Sequence, residues 1–487
     1  MTAVRTCNYD YAEADRGAAT AAEITPVEPD PGHAGEGRSV KDAPQWGIEP
    51  VPSRLRVLGT FDGFLLWANL SVSLLVIVAG AFLVLPVTQG GLALSLPVAV
   101  GAIVAAAVVG NVMLGLGGLI GADARVPTMV LMRAPLGRRG SYAPTALNIL
   151  QCLGWSVFEL IVIATGASAL SQQVFGFGGT AFWKLLFGVI ATALALLGPV
   201  GFVRRYVRKF AVWVVIASLL YLCWWSLHDR HVEALWHRPG SHAFWPGFDL
   251  VLASIISWTP LVADYTRFSR TRASGFWGAG FGYFVPTIPL FALGAVIAMS
   301  RDIGDAPGLL TAIAAGGAAS VLALLALTVD ESDEAFANVY SGAVSLQNLV
   351  PDVPQRLLVA GTAAVATIGA LLVDLRNYQP FLYLLGSFFV PLFGVLLADW
   401  LLAGRHYRPE DVFSAPEFRL WPLGAWLAGF CLYQWLAPVG PGWWTRLVAH
   451  TDPHSLPWGG ASLPSFALAF GLVSAVGLVR RPVLAEA

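Results

Sequence analysis

Between Asp62 and Asp123 the chain runs for 60 residues without one charged side chain. A helix needs about 20 apolar residues to cross the hydrocarbon of a bilayer, so this stretch has room for two crossings. The rest of the chain agrees. Of 487 residues, 56% are hydrophobic and 12% charged, and the mean hydropathy is +0.67. Soluble proteins carry about one quarter charged residues. Twenty-nine basic and thirty acidic residues cannot cover the surface of several soluble domains. A soluble enzyme is therefore excluded. So is an electrostatic nucleic-acid binder, because the net charge is only −1. The apolar runs are continuous rather than alternating, as barrel strands would be. The fold class is thus an all-α polytopic membrane protein embedded in a lipid bilayer.

Further apolar segments lie near 143–171, 181–203, 207–228, 248–266, 275–299, 308–345, 356–374, 379–403, 420–437 and 463–479. With the first two crossings they give about twelve transmembrane helices. Residues 1–55 are polar and lack apolar periodicity, so they read as a disordered tail, with no cleavable signal peptide evident. A transport core of ten spans over 56–404 and two accessory C-terminal helices with a short tail over 405–487 complete the division. Basic residues set the orientation. With the N-terminus in the cytoplasm, 23 of the 29 fall inside and 6 outside. Both termini are then cytoplasmic, in a plasma (inner) membrane.

The usual catalytic signatures are missing. There is no Gly-x-x-x-x-Gly-Lys-Ser/Thr loop for a nucleotide and no arginine ladder of the voltage-sensor kind. His228, His231, His237 and His242 share one outside loop at irregular spacing, which reads as a solvated loop rather than a metal site. Cys7, Cys152, Cys223 and Cys431 lie in separate segments and suggest neither a metal site nor a disulfide framework. No cofactor is implied. What remains is transport, and the informative residues are polar groups placed where lipid would reject them.

In span 3, Asn148, Cys152, Trp155 and Glu159 fall at i, i+4, i+7 and i+11 on one helix face. A carboxylate there costs several kcal/mol unless it is paired, protonated or wet, so Glu159 is a functional residue by default. In span 6, Pro260 within Ser257-Trp258-Thr259-Pro260 breaks the helical ladder. Such backbone is tolerated at membrane depth where it lines a cavity or packs inside protein. Span 1 has a similar stretch, Trp67-Ala68-Asn69-Leu70-Ser71. If spans 1–5 and 6–10 are inverted repeats, the two interruptions correspond and hold substrate and ions; a proline kink and a helix-packing asparagine explain them as well. Span 8 carries Asp330, Glu331, Asp333 and Glu334. Asp330, Glu334, Asn338 and Ser341 are assigned to one stripe of one long helix facing a watery cavity; the alternative is a loop at 329–334.

These motifs resemble the nucleobase:cation symporter family, in its purine–cytosine permease branch. The resemblance rests on Asn148-x-x-Gln151-Cys152-x-Gly154-Trp155, on Ala263-Asp264-Tyr265-Thr266-Arg267-Phe268, on Asn338-Val-Tyr-Ser341 with Ser345-Leu-Gln-Asn348, and on Pro391-Leu-Phe-Gly394 with Asp399-Trp400. It covers roughly residues 55–480. It implies a five-plus-five inverted-repeat transporter with two extra C-terminal helices, and a flat ring held between Trp155 and Trp258. Glu159 stands where the family usually has glutamine, and Asn338 matches a polar residue that faces the base. Asn69 of the interrupted first span joins this substrate-contacting set. A sodium-binding member would use carbonyls near Ala68 and Ser71 and the span 8 positions of Ser332 and Asp333. The presence of Asp333, where relatives carry a hydroxyl, favours a proton over sodium as coupling cation, with Asp333 as first carrier and Glu159 as second.

The expected function is a cation-coupled secondary importer, symporter or permease, of cytosine, a purine or a related heterocycle. Hydroxymethylpyrimidine, hydantoin and allantoin are alternative substrates. An amino-acid transporter of the same fold is a second reading, and a channel or membrane-embedded enzyme a third. A channel needs a continuous polar lining, and polarity here concentrates in spans 1, 3, 6 and 8.

Overall fold

The computed structural model describes residues 47–197, 201–228, 232–347, 353–453, 456 and 458–479. Within them, the side chains of 194–197, 201–212, 232, 332–337, 340, 341, 343–345, 347, 355, 478 and 479 fall outside the description. The described residues are helical, with two isolated β-bridges and no strand.

The first apolar stretch folds as two short helices, α1 (Thr60–Leu70) and α2 (Leu74–Phe82), bent by 61° across residues 71–73. Then come α3 (Leu96–Ala124), α4 (Tyr142–Phe175), α5 (Thr180–Leu197) and α6 (Gly201–Leu227). The next span is again broken, into α7 (Phe244–Ile256) and α8 (Val262–Thr266). It is followed by α9 (Arg272–Ser300), α10 (Ala306–Ala314), α11 (Ala318–Gln347), α12 (Gln355–Leu372) and α13 (Tyr378–Leu402). Toward the C-terminus come α14 (Leu420–Leu436) and α15 (Ser462–Val479). Four helices, α3, α4, α9 and the one containing α13, are individually long and apolar enough to cross a bilayer, and the bent α1–α2 pair makes a fifth. Five more apolar helices have 10–17 qualifying residues.

Two boundaries differ from the sequence reading. The span expected over 308–345 is two helices, but its break lies at Ala315–Gly317 rather than at the acidic run. Gly317 has φ +103°, a conformation that side chains resist, and this stops α10. The acidic residues 330–334 belong to the continuous α11, so the helix reading holds and the loop reading does not. The expected tail over 1–55 also ends earlier. Residues 1–46 lie outside the described residues, but Val51 is buried and its N–H donates to the Arg125 carbonyl at 2.9 Å. Val51, Leu58 and Phe268 form a small apolar cluster there.

In lipid there is no hydrophobic force between helices, so close packing relies on small residues. Helices α3 and α9 meet this way: a Cβ on Gly118 would stand 2.5 Å from the Gly275 carbonyl oxygen. On an adjoining face of α9, a Cβ on Gly63 of α1 would stand 3.1 Å from the Gly278 Cα. The broken helix α1–α2 is thereby seated on α9. Hydroxyls add to this: Ser71 donates to the Tyr283 carbonyl at 3.1 Å and lies 3.3 Å from the Thr287 hydroxyl.

Acidic residues tie loops to helix ends. Asp249 of α7 accepts from the backbone N–H groups of Ala461 (2.7 Å) and Ser462 (3.2 Å), capping α15. Asp264 accepts from Thr128 N–H at 2.9 Å, while Thr128 Oγ1 accepts from Ala263 N–H at 2.9 Å. The Asp399-Trp400 pair binds the same end of the molecule. Asp399 takes Arg419 at 2.8 Å and the Tyr407 hydroxyl at 2.8 Å. Trp400 donates to Asp123 at 3.1 Å, which also pairs with Arg272 at 2.5 Å. Two of the sequence motifs are thus structural fasteners.

Candidate functional site

The two broken helices lie against α4 and α11, and a narrow cavity opens among them. It is lined by Trp155 and Glu159 of α4, Trp258 and Ser257 at the α7 break, Ser73 at the α1 break, Tyr283 of α9 and Asn338 of α11, with Leu70, Leu75, Val76, Ser254 and Leu261 completing the wall. Four of the five substrate-contacting residues expected from sequence therefore converge.

Asn69 does not. It is exposed and absent from the lining. Helix α1 continues through Leu70, and Trp67 and Ser71, one turn apart, are the residues turned inward, both almost fully buried. At about 100° per residue, Asn69 is carried to the far side. Asn69 therefore stands apart from the cavity that the other four residues line.

The two tryptophans are held by other rings. Trp258 meets Trp67 edge-on at 5.9 Å and Tyr283 at 6.0 Å. Trp155 meets Tyr378 at 5.9 Å and Phe381 at 5.5 Å, both edge-on. Edge-to-face contacts of this length are favourable and directional. They fix the planes of two rings while leaving both partly exposed to the cavity.

Polar groups of the same cavity wall come from α4 and α11. Asn338 donates from Nδ2 to Glu159 Oε1 at 2.6 Å. Both side chains are buried, Glu159 to 1% exposure. The second carboxyl oxygen, Oε2, is buried with no hydrogen-bond partner. Buried polar atoms are nearly always paired, so an unsatisfied oxygen on a cavity wall marks a place where a hydrogen-bond partner belongs.

Each helix break is closed by a side chain from a neighbouring helix. At α7, Pro260 has no N–H, and the Leu261 N–H turns to the Trp258 carbonyl. The Ser257 carbonyl is left to accept from Gln151 Nε2 of α4 at 2.8 Å. At α2, the Leu74 N–H donates to Glu331 Oε2 at 2.7 Å and the Ser73 hydroxyl donates to Glu331 Oε1 at 2.8 Å. The Leu75 N–H in turn donates to Ser73 Oγ at 3.0 Å. Gln151 and Glu331 are not among the site residues chosen from sequence. For Gln151 the signal was present, since an i, i+4 relation to Trp155 on the same helix was written in the motif. Of the expected ion-coupling set, Ala68 is half-buried and Ser71 is turned to α9. The side chains of Ser332 and Asp333 lie outside the described residues. Among the described residues no group of three or more His, Cys, Asp or Glu side chains could hold a metal ion.

Known proteins share the fold. Mhp1 in its inward-facing conformation shares the fold at TM-score 0.71 and 17% identity, over 91% of this chain and 96% of that one. Its closed form, a nucleobase-cation-symport-1 family transporter with bromovinylhydantoin bound, gives 0.66 and 17% identity over 91% and 98%. The allantoin permease of Bacillus subtilis (strain 168) is 24% identical over 343 residues, 62% of this chain and 68% of the permease. The cytosine permease of Escherichia coli (strain K12) is 26% identical over 322 residues, 62% and 71% of the two chains. Residues 50–414 match the family described as permease for cytosine/purines, uracil, thiamine, allantoin, and this chain, a multi-pass membrane transport protein and not an enzyme, belongs to that nucleobase:cation symporter family.

Proposed function

We propose that the chain imports a flat heterocycle, a nucleobase such as cytosine or a purine, across the plasma membrane by alternating access, coupled to a cation. The observation that carries this is the convergence of Trp155, Trp258, Glu159 and Asn338 on one cavity at two broken helices. A ring between aromatic faces gains roughly 1–3 kcal/mol whatever its identity. Identity is then read by edge hydrogen bonds, and an edge group left unpaired in a dry pocket costs about 1–3 kcal/mol. Relatives named for allantoin, cytosine and hydantoin keep these rings in the panel of substrates, with a hydroxymethylpyrimidine as a further alternative.

A proton is the proposed coupling cation. Two acidic carriers are available, Asp333 and Glu159, and Glu159 is in the cavity. Sodium at Ala68, Ser71, Ser332 and Asp333 is the competing assignment. Both termini are placed in the cytoplasm, following the bias of basic residues.

The test is uptake of radiolabelled cytosine into proteoliposomes under an imposed pH gradient without sodium, against unlabelled purines, hydantoin and allantoin. Uptake should follow the gradient. Trp155→Ala and Trp258→Ala should each weaken substrate binding at least tenfold, and phenylalanine at either position should be milder because it keeps a ring face. Unchanged affinity in both alanine variants would remove the sandwich. Strict sodium dependence at fixed pH would replace the proton.

A further inference from the structure

The donor and acceptor pattern around Glu159 bears on how substrate and proton are linked. The carboxyl lines the cavity beside both tryptophans. Its Oε1 accepts from Asn338 at 2.6 Å, and its Oε2 is buried and unpaired. An ionised carboxylate only accepts, whereas the neutral acid offers one O–H donor beside acceptor oxygens. Heterocycles of the proposed class present mixed edges. The aminopyrimidine edge of cytosine sets a ring-nitrogen acceptor beside an amine donor. The imide edge of a hydantoin sets a carbonyl beside an N–H. Against either, an ionised Glu159 would place one oxygen on a donor and the other against a lone pair. The neutral acid would close both contacts as parallel hydrogen bonds, and Oε1 has lone pairs enough to keep Asn338 as well.

We propose that Glu159 takes up one proton as the ring binds, so that the group recognising the substrate edge is also the carrier of the coupling proton. This rests on the heterocycle reading above and deepens it. The proton comes from the outside solution and forms an O–H bond on Glu159, taking the side chain from −1 to neutral. That O–H donates to the ring acceptor while the other oxygen accepts from the ring N–H. After inward opening the ring leaves, the O–H bond breaks with its electron pair kept by oxygen, and the proton passes to the cytoplasm. One proton moves with each ring.

Among the described residues, the acidic Glu331 of α11 exerts an electrostatic influence on Glu159. Asp330 lies next to Glu331 on the same helix. From other elements, α9 contributes Tyr283 and α13 Tyr378, and α4 itself contributes Cys152. Lys184 of α5 acts on Asp374, Asp374 pairs with Arg376 in the turn before α13, and Asp249 of α7 caps α15. The ionisable residue of α12 is Arg356, near its first turn, and α2 and α10 carry none.

The test uses purified full-length protein with cytosine as probe, read by a pH indicator in weakly buffered solution and by equilibrium binding from pH 5 to 9. The wild type should take up about one proton per cytosine on the alkaline limb, and its affinity there should fall about tenfold per pH unit, as linkage requires. Glu159→Gln supplies a permanent donor and acceptor. It should bind cytosine within about tenfold of the wild type at low pH, take up no proton and show a flat pH profile. Cytosine binding by the wild type without proton uptake overturns the inference and needs no variant to show it. So does a proton still taken up by Glu159→Gln. Loss of binding in Trp155→Ala alongside either result would leave the heterocycle reading standing. Failure of the wild type to bind cytosine, adenine, hydantoin and allantoin alike would remove that reading, and this inference with it.

Discussion

The break in α1–α2 and the break in α7–α8 border one cavity, yet they are closed by opposite chemistry. At the first, the exposed groups are the leading N–H donors of α2, and a carboxylate, Glu331, accepts from them. At the second, the exposed group is a trailing carbonyl of α7, and an amide, Gln151, donates to it. The sign follows the helix dipole, which is positive at an N-terminus and negative at a C-terminus. The side chains that close the breaks come from α4 and α11, the helices that also touch through Glu159 and Asn338. One pair of continuous helices thus supplies the repair of both broken ones and the polar edge of the cavity. The substrate, on this view, sits where two weak points are stitched to one frame.

The largest effect should come from cutting the charged stitch. Glu331→Ala leaves the Leu74 N–H and the Ser73 hydroxyl buried without their acceptor. In an apolar setting each such orphan costs about 1–3 kcal/mol, so the pair should cost about 3 kcal/mol and lower the thermal midpoint of the purified protein by several degrees. Glu331→Gln keeps a carbonyl for Leu74 and should recover most of that. Equal melting of Glu331→Ala and wild type would show that water replaces the stitch and that the two breaks are not held alike.

The neutral stitch should matter less for stability and more for position. Gln151→Leu orphans the Ser257 carbonyl alone, at about 1–2 kcal/mol. Because Trp258 is the next residue, substrate affinity should fall severalfold even where the protein remains folded. Gln151→Glu sets an acceptor against an acceptor and should be worse than leucine. A binding titration in which leucine and glutamate variants match the wild type would detach Gln151 from the ring platform.

How much of this could be seen in the sequence depends on what each residue signals locally. The broken sixth helix announced itself through Pro260, and the face carrying Trp155 and Glu159 through the i, i+4 spacing. Both are properties of one segment, and the structure keeps them. Glu331 needed something the segment does not hold. The acidic stripe was drawn through Asp330 and Asn338, eight residues apart and about 80° out of line at 3.6 residues per turn. Glu331 and Asn338, seven apart, are within about 20°, and both are buried while Asp330 is half-buried. Among four acids in five residues, composition cannot choose the inward one; the partner at Leu74, 257 residues away in sequence, chooses it. Asn69 failed for the reciprocal reason. A polar residue near a break was read as serving the break, but the helix had not yet ended there.

The smallest effect should come from a third carboxylate cap, which differs from Glu331 in solvent rather than in geometry. Asp374 accepts from the Arg376 N–H at 2.9 Å at the start of the turn Leu375–Asn377, which leads into Tyr378 and so to Trp155. Its side chain is 56% exposed and also meets the Arg376 guanidinium at 3.4 Å. The Arg376 backbone N–H, with that guanidinium and Lys184 assisting, holds its carboxyl below the usual aspartate range. A depressed folded pKa contributes stability that is fully present above the ordinary value near 3.9 and is lost as pH falls through the folded one. Between pH 5 and 8 the contribution should therefore be flat, and acidification below about pH 4 should erase it. Exposed pairs are screened and worth about 0–1 kcal/mol, so Asp374→Asn should shift the thermal midpoint by a degree or less at neutral pH. The same carboxylate-to-N–H bond is expected to count severalfold more at Glu331, because there no water competes for the donor. A melting series in which Asp374→Asn costs as much as Glu331→Ala would show that burial is not what separates the two caps. The charged stitch at the first break would then have to owe its strength to the frame of α4 and α11 instead.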